Sequence, residues 1–261
     1  MTWTVDSIPR LDNRIALITG ANSGLGFETA QVLIKKGATV ILGCRSLSNA
    51  QIARDKLLNQ VDSANIQVLG IDLADLKNVD MAVDQMKNMC NRLDLLFNNA
   101  GVMAPPRTLS KQGFELQFAV NHLSHMALTL KLLPLIAKNP GGRVVTVSSG
   151  AQYMGEINWN DLNGEKCYAR WASYSQSKLA NVMFAYELNE RLNRVNVDVV
   201  SLSAHPGLAR TNLHSTSVKA NASWQEAFAF KLMDPIFQSA FMGSLSQLQA
   251  ATDPSAKGGQ Q

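Results

Sequence analysis

The chain has 261 residues, 46% of them apolar and 17% charged, and a net charge of +4. That length can bury one large core, and the composition excludes a disordered or fibrous chain. The weak positive charge comes without lysine- or arginine-rich runs, so the electrostatic footprint of nucleic-acid or membrane-surface binding is missing.

Residues 1–13 hold no apolar core and do not read as a signal peptide. The apolar run at 15–18 is short, as a buried parallel strand would be. Thr19-Gly-Ala-Asn-Ser-Gly-Leu-Gly26 follows at once, and 27–36 reads as a helix with Gly37 as its C-terminal cap. Strands are expected at 40–42 and at 66–71, the latter ending at Asp72, with a helix at 48–59 between them. A helix at 77–92 leads to a fourth strand at 93–97, closed by Asn98-Asn-Ala-Gly101. Residues 113–138 hold a long helix expected to end near Pro134. Its stretch 126–137, broken by Lys131 and Pro134, is too short to span a bilayer. A fifth strand at 143–147 ends in Ser148-Ser149, a helix follows at 172–192, and a sixth strand is expected at 197–202. Strands alternating with helices predict an α/β fold, a single doubly wound parallel sheet covered on both faces. No repeat or linker divides the chain, so 1–261 is expected to form one domain. Ligands of such sheets bind beyond the strand C-termini.

The chemistry-bearing residues fall at that edge. Gly20, Gly24 and Gly26 either make a tight structural turn or let the backbone approach a pyrophosphate, to which the following helix N-terminus offers free amides. After the second strand stands Gly43-Cys-Arg45, with no carboxylate to accept a ribose 2′-hydroxyl. Arg45 either pairs with a 2′-phosphate or is solvated. Asp72 either accepts from an adenine amino group or caps a turn. The small residues of 98–101 suit a ribose lying on the backbone, or an ordinary strand-end turn. Asn121 sits inside a helix, where asparagine is a mediocre former, which points to a functional task. Ser149 can donate to a carbonyl oxygen, whereas Ser148 should face the opposite way. Tyr174 and Lys178 share a helix face, four residues apart. A cation beside the phenol favours phenolate and proton exchange nearer neutrality, although the pair alone reads more readily as a surface tyrosine and a solvated lysine. His205-Pro-Gly207 makes a rigid turn after the last strand. His122 and His125 have no acidic ligand pattern beside them and read as packing residues, with no metal expected. Cys44, Cys90 and Cys167, odd in number and widely spaced, suit reduced thiols in the cytoplasm.

In this order, Thr19-Gly-x-x-x-Gly-x-Gly26, Asn98-Asn-Ala-Gly101, Asn121, Ser149, Tyr174-x-x-x-Lys178 and Pro206-Gly207 resemble the short-chain dehydrogenase/reductase family. The resemblance runs from about residue 14 to 211. It implies a Rossmann domain of three α/β/α layers and a nicotinamide cofactor. It also implies Tyr174 as general acid-base, Ser149 as the polarising hydroxyl, Lys178 as the group that tunes the phenol and holds the ribose, and Asn121 as the anchor of a water. The cofactor contacts it implies are Gly20, Asn22, Ser23, Gly24, Leu25 and Gly26; Arg45, Asp72 and Leu73; Asn98, Ala100 and Gly101; Tyr174 and Lys178; and Pro206, Gly207, Leu208 and Thr211. Asn121-His-Leu-Ser-His125, Gln176-Ser-Lys-Leu-Ala-Asn181, Asp161-Leu-Asn-Gly-Glu-Lys166 and the 25 positions from 149 to 174 resemble the retinol dehydrogenase-like branch.

The expected activity is NADP-dependent hydride transfer on a carbonyl or alcohol, with NADP(H) preferred over NAD(H) on the strength of Arg45. Substrate loops near 150–172 and 208–241, with Met103, Tyr153, Met154, Trp159, Trp171, Leu208 and Phe230, suggest an apolar small molecule such as an aldehyde, ketone or retinoid. An NADP-binding sensor or scaffold without turnover is the alternative, distinguished by a broken catalytic set, and the set here is complete. An epimerase or dehydratase ranks below both, because its chains are longer and space the glycines differently. No nucleic acid and no membrane span are expected, and the family resemblance implies a homodimer or homotetramer built through the two long helices.

Overall fold

The computed structural model describes residues 3–61, 64–207 and 238–260. Among them run, in order, β1 (Ile15–Thr19), α1 (Gly24–Lys35), β2 (Thr39–Cys44), α2 (Leu47–Leu58), β3 (Ile66–Gly70), α3 (Leu76–Met89) and β4 (Leu95–Asn98). A short α4 (Leu116–Phe118) passes through a π-helical segment, Ala119–Leu123, into α5 (Ser124–Ile136). Then come β5 (Gly142–Val147), a 3-10 turn over Gly150–Met154, α6 (Arg170–Arg194), β6 (Val199–Ala204) and α7 (Ala240–Thr252).

The six strands form one parallel sheet in the order β3-β2-β1-β4-β5-β6. Every adjacent pair is parallel, so each needs a crossover, and the order turns back between β1 and β4. Strand residues alternate between two cores, as a two-residue period demands. Ile18, Leu42, Phe97, Val145 and Leu202 pack under α1, α2 and α7 with Leu33, Leu57 and Leu248. Leu17, Ile41, Leu96 and Val144 pack under α3, α5 and α6 with Val79, Met86, Leu128 and Leu188. The result is a Rossmann fold of three layers.

The seam between β1 and β4 carries a buried charge. Asp94 is fully buried and accepts from the Ile15 amide at 2.9 Å and from Arg14 Nη1 at 2.9 Å, and it also pairs with Arg92. Paired in this way, a buried carboxylate locks one register of the two strands.

Three differences from expectation have a physical reason in the packing. Helix α5 does not stop near Pro134 but continues through it to Ile136. A proline inside a helix costs roughly 3 kcal/mol. Burial of Leu132, Leu135 and Ile136 opposes this with about 1.5–3 kcal/mol each. Strand β6 begins two residues later than its apolar pattern suggested, because Val197 packs as a loop residue beside α6. Helix α7 was not anticipated. It packs on α1, and Gln247 Nε2 donates to Thr29 Oγ1 at 2.5 Å.

Candidate active site

Three strands and one helix converge where the sheet order reverses. Gly20 and Gly24 take φ of +68° and +56°, backbone that other residues rarely adopt. A Cβ on Gly24 would meet nothing within 4 Å, so this turn faces open space. Ser23 is the N-cap of α1 but makes no side-chain cap bond, which leaves the first amides of that helix free. A Cβ on Gly26 would lie 2.6 Å from Asn99 Nδ2 and 2.7 Å from Gly20 O, so only glycine lets α1 pack this close. Under the loop, the Thr19 hydroxyl accepts from the Asn99 and Ala100 amides, both at 2.9 Å, and Asn99 Nδ2 donates to Thr19 O at 2.7 Å.

The catalytic residues predicted from sequence come together. Tyr174 is buried on α6, edge-on to Trp171 with 6.1 Å between ring centroids. Close to the phenol, and opposing the rise that burial gives it, is the hydroxyl of Ser149, the residue that follows β5 and caps the 3-10 turn. Lys178 lies one turn on, its Nζ 5.8 Å from the Tyr174 ring centroid and donating to Val147 O at 3.0 Å. Asn121 sits in the π-helical segment, the kind of helix irregularity that often marks functional sites. Its Oδ1 accepts from the Val102 amide at 2.8 Å, and its Nδ2 donates to Val102 O at 3.0 Å and Ser177 Oγ at 2.9 Å. Gly101 completes the cradle: a Cβ there would stand 3.1 Å from Asn121 Oδ1 and 3.7 Å from Lys178 Nζ.

Ser148, next to Ser149, turns the other way as the strand period requires. It is buried, with its hydroxyl 2.5 Å from Gln152 Oε1 and 2.8 Å from Lys178 O. It therefore braces the 3-10 turn and α6 rather than facing a ligand.

Burial dominates the electrostatics of this pair. Within the protein alone, burial pushes the Tyr174 phenol up, and the Ser149 hydroxyl opposes it. Burial pulls the Lys178 ammonium down to about 8. The protein thus holds a neutral phenol beside a lysine still cationic at neutral pH, joined to Tyr174 by proximity rather than by a direct hydrogen bond.

Other predicted contacts divide. Arg45 is exposed and has no partner among the described residues at the end of β2, beside Ser46, whose hydroxyl caps α2. Asp72 makes a turn, its Oδ1 accepting from the Ala74 amide at 3.0 Å, which spends one oxygen on the local cap. Leu25 and Leu73 are buried, and the Leu73 carbonyl accepts from Ser124 Oγ at 2.7 Å. The Asn98 side chain is buried away from the cradle, donating to Thr129 Oγ1 at 2.8 Å and Thr146 Oγ1 at 3.3 Å. As a correction, only its backbone is left for a cofactor contact. Gly207 has φ +65° in the turn after His205 and Pro206. Leu208, Thr211 and Phe230 lie outside the described residues.

Of the expected substrate-wall residues, Met103 is buried against Tyr174, while Tyr153, Met154 and Trp171 are exposed. Trp159 lies instead on a separate cleft of about 440 Å³, with Phe114, Phe118 and Leu162. Sequence reasoning missed Thr19 and Asn181 as site residues. Asn181 lies three positions past Lys178 on the same face, and its Nδ2 shares the Val147 carbonyl at 3.1 Å. It also missed the clamp on the 102–107 loop, where the Tyr168 hydroxyl lies 3.1 Å from Pro105 O and 3.2 Å from the buried Glu115. Among the described residues, no three metal-ligating side chains cluster, and no helix is long and apolar enough to cross a membrane.

The uncapped helix, the open glycine turn and the Gly101 cradle fit a dinucleotide. Comparison with known proteins agrees. The family model described as short chain dehydrogenase matches residues 14–222. Retinol dehydrogenase 14 of Mus musculus is 44% identical over 78% of this chain, which spans 63% of that protein's length. A short-chain dehydrogenase/reductase of Armillaria gallica is 39% identical over 97% of this chain and 81% of its own. The crystal structure of an uncharacterised protein of Mycobacterium paratuberculosis superposes with a TM-score of 0.79 at 38% identity, covering 99% of this chain and 83% of that one.

Proposed function

Because the chain belongs to the short-chain dehydrogenase/reductase family and is similar to its retinol dehydrogenases, we propose that it is an NADP-dependent oxidoreductase interconverting an apolar carbonyl compound and its alcohol. The observation that carries this reading is the Ser149–Tyr174 hydroxyl pair with Lys178 one turn away. A bound nicotinamide would supply or take the hydride. The glycine turn and the free amides of α1 would hold its pyrophosphate, and Gly101 with Lys178 would hold the ribose near the phenol. Two hydroxyls aimed at one oxygen polarise it: Ser149 donates a hydrogen bond, and Tyr174 hands over its proton as negative charge develops. A phenol kept neutral by burial is charged with that proton in the reductive direction. Lys178, cationic below about 8, steadies the phenolate that results.

Arg45 supports NADP(H) over NAD(H), since a fork of donors stands where an NAD site needs a carboxylate. The exposed Tyr153, Met154 and Trp171 support an apolar substrate. Three free cysteines suit a reducing, cytoplasmic setting. Exposed Leu130 on α5, with Met183 and Tyr186 on α6, suits a homodimer or homotetramer built on the long helices.

An NADPH-oxidation screen across aldehydes, ketones, quinones and retinal tests the activity. Tyr174→Phe should keep cofactor binding and lose about 10²-fold or more in turnover. Cofactor binding with no turnover on any carbonyl would leave the sensor reading in its place.

A further inference from the structure

His125 is a fully buried titratable side chain for which the chemistry above has no use. It lies on the first turn of α5, facing β1. Its Nε2 is 2.8 Å from Thr19 Oγ1, and its Nδ1 is 3.1 Å from the carbonyl oxygen of Asn121. We propose that His125 is a positioning residue whose neutral ring, protonated on Nδ1, ties the floor of the cofactor loop to the π-helical segment carrying Asn121. The inference rests on the oxidoreductase reading for its kinetic consequence, but not for its geometry.

Hydrogen-bond accounting sets the tautomer. The Thr19 oxygen already accepts from two amides, Asn99 and Ala100. It has one hydrogen left, and the nearer acceptor is His125 Nε2, with Phe97 O farther away at 3.2 Å. At the other end of the ring a carbonyl oxygen needs a donor, so the proton belongs on Nδ1. The opposite tautomer would bring a third donor to Thr19 and leave two lone-pair atoms 3.1 Å apart. A doubly protonated ring is excluded at neutral pH, because burial, with the nearby Lys178 charge adding to it, pulls His125 down to about 4. The chain of bonds is therefore directional: Asn99 and Ala100 amides to Thr19, Thr19 to His125, His125 to Asn121. One ring spans the gap between the strand under the glycine turn and the helix segment that meets Lys178 and Gly101.

Two conservative variants separate its two arms. A glutamine amide reaches about as far as Nε2 and an asparagine amide about as far as Nδ1. His125→Gln should keep the Thr19 arm, holding the NADPH Kd within about twofold while kcat falls by about 5- to 10-fold, one hydrogen bond's worth. His125→Asn should do the reverse, weakening NADPH by about that factor with kcat closer to wild type. Imidazole 15N spectra of the wild type between pH 6 and 8 should show a protonated Nδ1 and a bare Nε2 that do not titrate. An Nε2-protonated ring overturns the inference, as do equal losses of Kd and kcat in both variants, the pattern of a merely structural residue. If the wild type neither binds nor turns over NADPH, the oxidoreductase reading fails while the spectra still decide the ring.

Discussion

Lys178→Met should make the protein more stable and abolish its chemistry. The wild-type ammonium is fully buried, and its pKa falls from the ordinary 10.5 to about 8. At about 1.4 kcal/mol per unit, the charged form costs the folded state roughly 3 kcal/mol at pH 7. Its hydrogen bond to Val147 O returns about 2 kcal/mol of that. Methionine fills a similar volume with no charge, and Val147 O keeps Asn181 Nδ2 as donor. The net expectation is a gain of about 1 kcal/mol at pH 7, roughly 2–4 °C in Tm. The pH dependence has a definite sign. Because the folded pKa lies below the unfolded one, the unfolded chain binds more protons between about pH 8 and 10.5, and stability rises with pH there. Urea denaturation of both proteins at pH 7 and 9.5 should find the wild type gaining about 2 kcal/mol on the variant over that interval. A variant destabilised by more than about 1 kcal/mol at pH 7, or a difference flat in pH, would refute the claim that burial strains this lysine.

Ser149→Ala should lower kcat by about 10²- to 10³-fold, since its hydrogen bond matters most as charge develops on the substrate oxygen. Ser148→Ala should spare turnover far more but cost about 1–3 kcal/mol in urea denaturation, because the buried hydroxyl that braces the 3-10 turn and α6 through Gln152 Oε1 and Lys178 O is lost; a reversed ranking in turnover would mean the wrong serine was chosen. Arg45→Ala should weaken NADPH by roughly 10- to 150-fold and leave NADH nearly unchanged in fluorescence titrations, whereas equal losses for both would remove the phosphate role.

What was legible in the sequence is what local pattern encodes. Glycines that need positive φ, apolar runs that need two covered faces, and a tyrosine and lysine one helical turn apart all announce themselves within a few residues. The parallel, doubly wound sheet followed from the alternation of strands and helices, whereas the joint role of Ser149 and Tyr174 came from the family resemblance. What was hidden depends on partners distant in the chain. The helix through Pro134 survives because Leu135 and Ile136 find a core that no window shows. Asn98 looked like a ligand contact, but Thr129 and Thr146, far off in sequence, draw its side chain inward. Burial rather than neighbouring charge governs Tyr174, and no spacing rule reports burial. Helix α7 lacks a clean apolar stripe because it packs through small residues and Gln247 against α1.

The seam between β1 and β4 also has a bearing on folding kinetics. Pairing β1 with β2 closes 24 positions, from Ile15 to Thr39, whereas pairing it with β4 closes 79, from Ala16 to Leu95. The longer closure costs about 1 kcal/mol more chain entropy. It is therefore the later joint to form as the chain folds, and topologies with such distant pairings fold slowly. The ligand crevice opens on that joint, so until β4 docks, a nucleotide would find the glycine turn but not the Asn98–Gly101 wall opposite it. A dinucleotide would accordingly slow unfolding and leave the folding rate alone.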